Sequence, residues 1–308
     1  MTEKTTVLKL AQVTKKFRRF AAVSKVSFAV EQGEVVGFVG ENGAGKTTTI
    51  NMLLGFTSPT IGEVEVFGQH ISPATAHVSH RRIGYAAGDM ELPKHMTGAQ
   101  YIHFVMAQSG GKKHAKRYGE LVKAYRPQLE KRIGTLSRGN KQKIALVAAF
   151  VTEPELVVLD EPTSGLDPVM QSVFLATVRE EAARGTTIFM SSHYLQEVAE
   201  VCTRVILMKD GGVVEDLSAE ELAERGGKVV TLKSYKEIKP PEHARWPSSH
   251  VESDVHVLAF GYVREITPLL KWLASQEDVI DLDISEHTLE EEFKHIYSGQ
   301  DDKGSGDE

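Results

Sequence analysis

Cysteine, long apolar runs and excess positive charge are all scarce in this sequence of 308 residues. Its single cysteine, Cys202, excludes an intrachain disulfide and favours a reducing compartment. The longest apolar run, at residues 144–151, has eight residues, whereas a helix needs about 20 to cross a bilayer. The net charge of −6, from 36 basic and 42 acidic side chains, gives no indication of nucleic-acid binding. Since no apolar run is long enough, we expect no membrane span, and because the first six residues are polar we expect no secretory signal either.

What the sequence does contain is a glycine-rich run at residues 40–47 that fits the phosphate-binding pattern G-x-x-x-x-G-K-[ST]. Its neighbours predict an apolar strand at residues 34–39 and a helix at residues 48–54. That order aims several backbone N–H groups and a helix N-terminus at one point, which suits a polyphosphate. Lys46 would then reach the β- and γ-phosphates, and the Thr47 hydroxyl would hold Mg²⁺. A chance glycine-rich turn is the alternative interpretation.

A second candidate for the same chemistry is the acidic pair Asp160-Glu161, which follows an apolar run at residues 156–159. Bounded by Pro154 and Pro162, that run is typical of a strand buried on both faces. A carboxylate at the C-terminal end of such a strand can hold Mg²⁺, a role that we assign to Asp160. Glu161 can then polarise an attacking water. Taken alone, the pair could equally be two solvated loop acids.

The pattern along the chain predicts two domains. Strand and helix signals alternate through residues 1–224, which predicts antiparallel N-terminal strands and then a mainly parallel α/β sheet. Apolar residues at helical spacing indicate a helical subdomain at about residues 89–150. Residues 225–297 have the pattern of a small α+β domain, and the Gly- and acid-rich residues 298–308 that of a disordered tail.

Within the second domain we expect strands at residues 228–232, 255–262 and 279–284, and helices at residues 265–275 and 288–297. A loop is predicted between the first two strands, because that stretch contains three prolines, Pro240, Pro241 and Pro247. We expect this domain to serve in dimer contact or in regulation.

Four further short segments complete a pattern known from one protein family. They are Leu136-Ser137-Arg138-Gly139-Asn140-Lys141-Gln142, Ser164-Gly165-Leu166-Asp167, Ser191-Ser192-His193 and Lys15-Lys16-Phe17. With the glycine loop and the acidic pair, in this order and spacing, they resemble the nucleotide-binding subunit of ABC transporters over about residues 7–222. Each segment by itself is weak evidence for this family, and a lone histidine such as His193 or a lone aromatic such as Phe17 is more commonly a structural residue.

The resemblance implies an α/β P-loop ATPase that forms a head-to-tail dimer with two ATP molecules at the interface. Glu161 and His193 would be catalytic, Asp167 would couple the two sites, and Thr47 and Asp160 would hold Mg²⁺. The residues implied to contact ATP within one subunit are Phe17, which would stack on the adenine, and Gly40, Asn42, Gly43, Ala44, Gly45, Lys46, Thr47 and Thr48. Those implied to contact it from the other subunit form the signature segment: Leu136, Ser137, Arg138, Gly139, Asn140 and Gln142.

Two departures from the family pattern bear on activity. Arg138 and Asn140 stand where the commonest signature has Gly and Gln, although Ser137 and Gly139 are kept. At the Q-loop position the family has a Gln or Glu, whereas this chain has Gly88, followed by Asp89 as the available substitute. We therefore expect low basal ATPase activity.

The segment Ser285-Glu286-His287-Thr288-Leu289-Glu290-Glu291-Glu292-Phe293 resembles the tail of ATP-binding subunits of ABC-2-type exporters, which include drug, antibiotic and bacteriocin exporters. Any amphipathic closing helix would give a similar pattern. The resemblance implies a homodimer or heterodimer of ATP-binding subunits, peripheral to the cytoplasmic face of the membrane, that drives a separate transmembrane permease subunit. Two other functions stay open: a soluble ABC ATPase without a membrane partner, and a weakly hydrolysing ATP-gated clamp.

Overall fold

The computed structural model describes residues 5–89, 91–109, 111–225, 228–252, 254–263 and 265–286. The chain divides into two compact units, Met1–Ala219 and Glu220–Glu308. This division falls a few residues before the boundary that the sequence pattern places after residue 224. The helix predicted at residues 288–297, the tail predicted at residues 298–308 and most of the exporter-like motif lie outside the described residues.

The described part of the first unit has ten strands in two sheets. In chain order they are β1 (Thr6–Phe17), β2 (Phe20–Glu31), β3 (Val35–Val39), β4 (Ile61–Val66), β5 (Gln69–His70), β6 (Ile83–Ala87), β7 (Leu156–Asp160), β8 (Thr187–Ser192), β9 (Arg204–Lys209) and β10 (Gly212–Ser218). Four of them form an antiparallel sheet in the order β2-β1-β4-β5. The other six form a sheet in the order β10-β9-β3-β8-β7-β6.

The six-stranded sheet is parallel from β9 to β6, and β10 pairs antiparallel with β9. Every residue of β3, β7 and β8 is buried. A strand covered on both faces has a nearly continuous apolar sequence, which is why the runs at residues 34–39 and 156–159 predict strands correctly. The prediction of a mainly parallel α/β sheet with antiparallel N-terminal strands is confirmed.

The helices described before residue 226 are α1 (Lys46–Leu53), α2 (Ala76–His80), α3 (Gly98–Gln108), α4 (Ala115–Tyr125), α5 (Arg138–Phe150), α6 (Pro168–Ala183), α7 (Leu195–Ala199) and α8 (Ala219–Arg225). Helices α3, α4 and α5 lie in the chain between β6 and β7. A capping box of Thr97 and Gln100 begins α3, because each side chain bonds a backbone N–H that the helix leaves free. Among the residues that the structure describes, no helix has the length and hydrophobicity of a membrane-spanning segment.

The apolar core of the first unit lies between its two sheets. Phe28 of β2 stacks on Phe189 of β8 with ring centroids 5.7 Å apart, and Phe38 of β3 lies 5.3 Å from Phe189. Aromatic pairs at such distances stabilise a protein by about 0.5–1.5 kcal/mol beyond the burial of their surface. These three rings fix the antiparallel sheet over the strand that leads into the glycine loop.

A buried ion network joins α4 to α6. The guanidinium of Arg117, on α4, is 3% exposed and contacts Glu180 and Glu181 of α6 and Glu120 of its own helix. Glu181 is 1% exposed and also accepts a hydrogen bond from the Thr186 hydroxyl. Burial by itself lowers the pKa of Arg117, but the neighbouring carboxylates outweigh it and hold this pKa above its ordinary value. The guanidinium therefore stays charged, and its ion pairs tie the helical region to the sheet domain.

The described part of the second unit is an antiparallel sheet with one further helix. Its elements are β11 (Lys228–Ser234), β12 (Arg245–Glu252), β13 (Val255–Tyr262), α9 (Ile266–Ala274) and β14 (Val279–Glu286), with the strand order β12-β13-β11-β14. The predicted loop after β11 is therefore wrong in part, because β12 contains Pro247. A proline lacks the N–H that a central strand needs, but β12 is an edge strand with a register shift between Arg245 and Ser248.

We expect Arg117→Met to lower the free energy of unfolding by about 3 kcal/mol, because it leaves Glu181 buried without its main partner. Arg179→Met is the matched control, because Arg179 of α6 forms an ion pair with Glu200 in which both side chains are about half exposed. That change should cost less than about 1 kcal/mol. Urea unfolding followed by circular dichroism measures both, and equal losses would contradict a structural role for the buried pair.

Candidate functional site

Three loops meet at the carboxyl ends of β3, β7 and β8, because these strands are neighbours in parallel register. Val39 pairs with Ser192, and Asp160 pairs with Ser191. The residues that follow each strand therefore leave the sheet at one edge, where open α/β sheets bind their ligands. The glycine loop, the acidic pair and His193 are brought together in this way.

The glycine loop holds a buried ammonium beside the N-terminus of α1. Gly45 has φ +106°, and a Cβ there would lie 2.4 Å from the backbone oxygen of Ala22, so this position requires glycine. The side chain of Lys46 is 5% exposed, and its Nζ donates to the carbonyl oxygens of Gly40 at 2.6 Å and Glu41 at 3.2 Å. A fixed ammonium next to a helix N-terminus is the arrangement that attracts phosphate.

Ser191, on β8, orders the acidic pair. Its hydroxyl donates to Oδ1 of Asp160 at 2.6 Å and accepts from the backbone N–H of Glu161 at 3.0 Å. Asp160 is 5% exposed, so this hydrogen bond fixes a buried carboxylate at the end of its strand. The sequence pattern does not single out Ser191, because only the pairing of β7 with β8 shows that residue 191 lies beside residue 160.

Glu161 connects the loop to the histidine. Its Oε1 lies 3.3 Å from Nζ of Lys46, and its Oε2 contacts Nδ1 of His193. The Glu161 side chain is 24% exposed, so water reaches it, and its backbone has φ +52°, which is uncommon for a residue other than glycine. A solvent-accessible carboxylate held between an ammonium and an imidazole can orient a water and accept its proton.

Tyr85, on β6, is another residue of this site that the sequence pattern does not indicate. Burial, together with the negative charge of Asp160, raises the pKa of Tyr85 to about 12. The phenol is therefore neutral at physiological pH, and it adds a polar group without charge to the lining of the site.

Gly88 packs against the backbone of the acidic pair. Its N–H donates to the carbonyl oxygen of Asp160 at 2.8 Å. A Cβ at this position would lie 2.8 Å from the carbonyl oxygen of Glu161 and 3.0 Å from Cβ of Ser164. In this arrangement a side chain at position 88 would displace the loop that carries Glu161. Glycine at this position therefore both lacks the family's glutamine side chain and leaves room for that loop.

Arg138 joins the Q-loop position to the segment after β7. Its Nη2 lies 2.9 Å from Oδ1 of Asp89 and donates to Oγ of Ser164 at 2.7 Å. Arg138, which stands where the commonest signature has Gly, is thus paired with Asp89, the residue after Gly88. Asp89 is available to a cation only in competition with this guanidinium.

Ser137 and Gln142 of the signature segment, and Asp167, contact their own chain. Ser137 caps α5 and accepts from the backbone N–H of Asn140 at 3.4 Å. Gln142 is 2% exposed and donates its amide to the carbonyl oxygen of Pro162 at 2.8 Å, so its side chain faces the acidic-pair loop rather than an open surface. Asp167 caps α6 by accepting from a backbone N–H of the first turn.

A cavity of about 860 Å³ opens at this edge, a volume suited to a nucleotide. The predicted residues that line it are Phe17, Asn42, Gly43, Gly45, Lys46, Thr47, Thr48, Gly88, Asp89, Arg138, Asp160, Glu161 and His193. Six residues outside the predicted set also line it: Phe20, Ala22, Glu41, Tyr85, Ala87 and Ser164. The predicted residues that lie outside this lining are Gly40 and Ala44 of the loop itself, Leu136, Ser137, Gly139, Asn140, Gln142 and Asp167.

Comparison with known proteins gives one family throughout. A family model described as "ABC transporter" matches residues 23–164. The bacitracin transport ATP-binding protein BcrA of Bacillus licheniformis is 30% identical over 305 residues, which cover 96% of this chain and 98% of the relative. The ABC transporter ATP-binding protein NatA of Bacillus subtilis (strain 168) is 33% identical over 207 residues, which cover 66% of this chain and 84% of NatA.

Solved structures agree in fold. The structure of an ATP-binding subunit of an ABC transporter superposes with a TM-score of 0.66 at 26% identity and covers 71% of this chain and 92% of its own. The dimeric structure of a bacterial ABC transporter cassette gives a TM-score of 0.64 at 23% identity, over 69% of this chain and 98% of the cassette. Since the match to BcrA extends over nearly the whole of both proteins, the chain belongs to the ATP-binding proteins of ABC transporters and is an ATPase.

Proposed function

We propose that this chain is the ATP-hydrolysing subunit of an ABC-2-type exporter and drives a separate transmembrane permease. The observation that carries the hydrolytic part is the placement of Glu161 between Lys46 and His193 at the carboxyl edge of the parallel sheet. The transport part is supported by the likeness to BcrA, whose name assigns it to bacitracin transport. Relatives whose names refer to Nod factor export support the outward direction.

The triphosphate of ATP would lie on the glycine loop, where Lys46 and the N-terminus of α1 offer positive charge. The residues to which we assign it are Gly40, Asn42, Gly43, Ala44, Gly45, Lys46, Thr47 and Thr48. The Lys46 ammonium is already 3.3 Å from Glu161, so a bound phosphate competes with this carboxylate for the same cation. Phosphate binding therefore weakens the hold of Lys46 on Glu161 and leaves the carboxylate to His193 and to water.

The donor set beside the loop fits Mg²⁺. Hard oxygen ligands suit this ion, and the Thr47 hydroxyl and the Asp160 carboxylate are such ligands at the same cavity. Asp160 has one oxygen bonded by Ser191, which fixes the orientation of the group. When bound, Mg²⁺ would neutralise charge on the β- and γ-phosphates.

In this proposal Glu161 is the general base and His193 its partner. The Glu161 carboxylate accepts the proton of a water that attacks the γ-phosphate. The neighbouring imidazole of His193 holds that carboxylate in place by a hydrogen bond during the step. The fixed backbone of Glu161, with Gly88 against it and Ser191 bonded to its N–H, keeps the base in place. The chain then releases ADP and phosphate.

The second subunit would contribute the signature segment. Ser137 and Gly139 lie at the N-terminus of α5, so the backbone N–H groups and helix dipole of that end can contact a γ-phosphate across an interface. A head-to-tail dimer is supported by the dimeric form of a cassette with the same fold. Asp167 would couple the sites at that interface, and the partner can be an identical or a related subunit.

The weakly hydrolysing clamp is the second candidate, and one observation favours it. Gly88 offers no side chain to the site, and Asp89 is engaged by Arg138. A chain that binds ATP and dimerises but turns over slowly would serve as an ATP-gated clamp. Steady-state ATPase activity, measured with and without membranes that contain the permease, separates the two candidates.

We expect Glu161→Gln to lower ATP hydrolysis by at least about 100-fold, because the amide cannot accept the proton of the attacking water. ATP binding should persist and an ATP-bound dimer should accumulate, as measured by phosphate release and size-exclusion chromatography. The matched control is Glu63→Gln, an exposed carboxylate on β4. Unchanged turnover in Glu161→Gln would remove the base from the mechanism.

We expect Gly88→Ala to lower turnover about tenfold or more, since its Cβ must displace the carbonyl of Glu161 and a misplaced base is costly. ATP binding should change little, because the glycine loop is untouched. Gly119→Ala on α4 is the control, as a Cβ there meets nothing within 4 Å. Wild-type turnover in Gly88→Ala would mean that the loop carrying Glu161 can shift without loss of activity.

Affinity purification from detergent-solubilised membranes of the source cell, with mass spectrometry, tests the transporter assignment. We expect a stoichiometric multi-span membrane protein to co-purify, and its identity would limit the class of substrate. Ribosomal or DNA-bound partners, or none, would instead favour the soluble ABC ATPase.

A further inference from the structure

The tip of the β1–β2 hairpin carries two exposed phenyl rings. Phe17 ends β1, Phe20 begins β2, and the two residues pair directly across the hairpin. Directly paired residues of antiparallel strands point to the same face, so the two rings lie on one side of the hairpin. Phe17 is 52% exposed and Phe20 is 66% exposed.

Both rings line the cavity that also contains the glycine loop. A single exposed aromatic residue is common in folded proteins, but two on one face of a cavity wall form an apolar patch. Ala22, two residues after Phe20 on β2, adds a third apolar side chain to the lining. The hairpin side of the cavity is therefore apolar, whereas the loop side is polar: the Lys46 ammonium and the hydroxyls of Thr47 and Thr48 lie there, together with acidic side chains such as Asp160 and Glu161.

This division matches the two parts of a nucleotide. The charged triphosphate suits the loop side, and the flat π-face of a base suits phenyl rings. The family resemblance assigns the base to Phe17 alone. Phe20 has the greater exposed fraction of the two and belongs to the same wall, so a base that covers only Phe17 leaves a more exposed ring beside it uncovered.

We propose that Phe20 is a second base-contacting residue, and that Phe17 and Phe20 together form a two-ring wall for the purine of bound ATP. The inference rests on the proposed ATP site and extends it to the recognition of the base. Because phenyl rings offer no hydrogen-bond donor or acceptor, this wall selects for a large aromatic surface rather than for particular base edges.

The test compares ATP with inorganic tripolyphosphate, which has the phosphates and no base, by equilibrium titration of the full chain. Phe20→Ala should weaken ATP binding about tenfold, the scale of one aromatic stacking contact, and leave tripolyphosphate binding unchanged. Phe20→Trp should restore ATP binding, since it returns an aromatic surface. Phe104→Ala is the matched control, because Phe104 on α3 is 54% exposed and lies outside this cavity lining.

Three results would overturn the inference. Phe20→Ala could bind ATP like the wild type while Phe17→Ala is weakened, which leaves the base to Phe17 alone. Phe20→Ala could lose ATP and tripolyphosphate equally, which indicates damage to the hairpin or loop rather than loss of a base contact. Phe20→Trp could fail to restore the affinity lost in Phe20→Ala, which excludes stacking.

Failure of the proposed function has a different signature. In that case the wild-type chain binds neither ATP nor tripolyphosphate, or Lys46→Ala binds both as well as the wild type does. The Phe20 result is interpreted once Lys46→Ala has lowered binding of both compounds, so the two failures are distinguished by the same titrations.

Discussion

The parallel pairing of β3, β8 and β7 is the constraint on which the rest of the site depends. It places the ends of the three strands side by side, so residues more than a hundred positions apart in the chain become neighbours. The hydrogen bond from Ser191 to Asp160 exists only in this register. A slip of one residue would turn the alternate side chains of the strand to the other face of the sheet and remove that bond.

Aromatic packing between the two sheets stabilises this register. Phe28, Phe38 and Phe189 join the antiparallel sheet to the two adjacent parallel strands β3 and β8. The hairpin that carries Phe17 and Phe20 is formed by the first two strands of that antiparallel sheet. Packing therefore positions the apolar wall and the glycine loop with respect to each other, although the two come from different sheets.

In this chain the position of Glu161 is fixed by backbone contacts rather than by a side chain at the Q-loop position. Gly88 donates its N–H to Asp160 and has no room for a Cβ beside Glu161. Arg138 replaces the small residue of the common signature and pairs with Asp89 and Ser164. The salt bridge therefore joins Arg138, one of the two signature departures, to Asp89, the residue that follows the departure at Gly88.

Much of the fold could be predicted because the decisive signals are local. The glycine loop and the buried strands before it and at residues 156–159 follow from a short motif and from continuous apolar runs. The loop predicted around Pro247 is wrong, because a proline that excludes a central strand is tolerated in an edge strand such as β12. Whether a strand lies at an edge depends on the order of strands in the sheet, which a local pattern does not give. Gln142 was assigned to a partner's nucleotide, whereas burial against Pro162 is decided by packing of α5 on the acidic-pair loop.

The residue types of the site follow from local motifs: the phosphate loop with Lys46, the carboxylates Asp160 and Glu161, and the histidine after the next strand. The contacts among them follow from the folded domain, in which Ser191 orders the acidic pair, Gly88 leaves no room for a side chain, and Phe20 shares a wall with Phe17. Motifs and apolar runs express local backbone and burial requirements, whereas contacts between strand ends depend on sheet order and register, which arise from the packing of the whole domain.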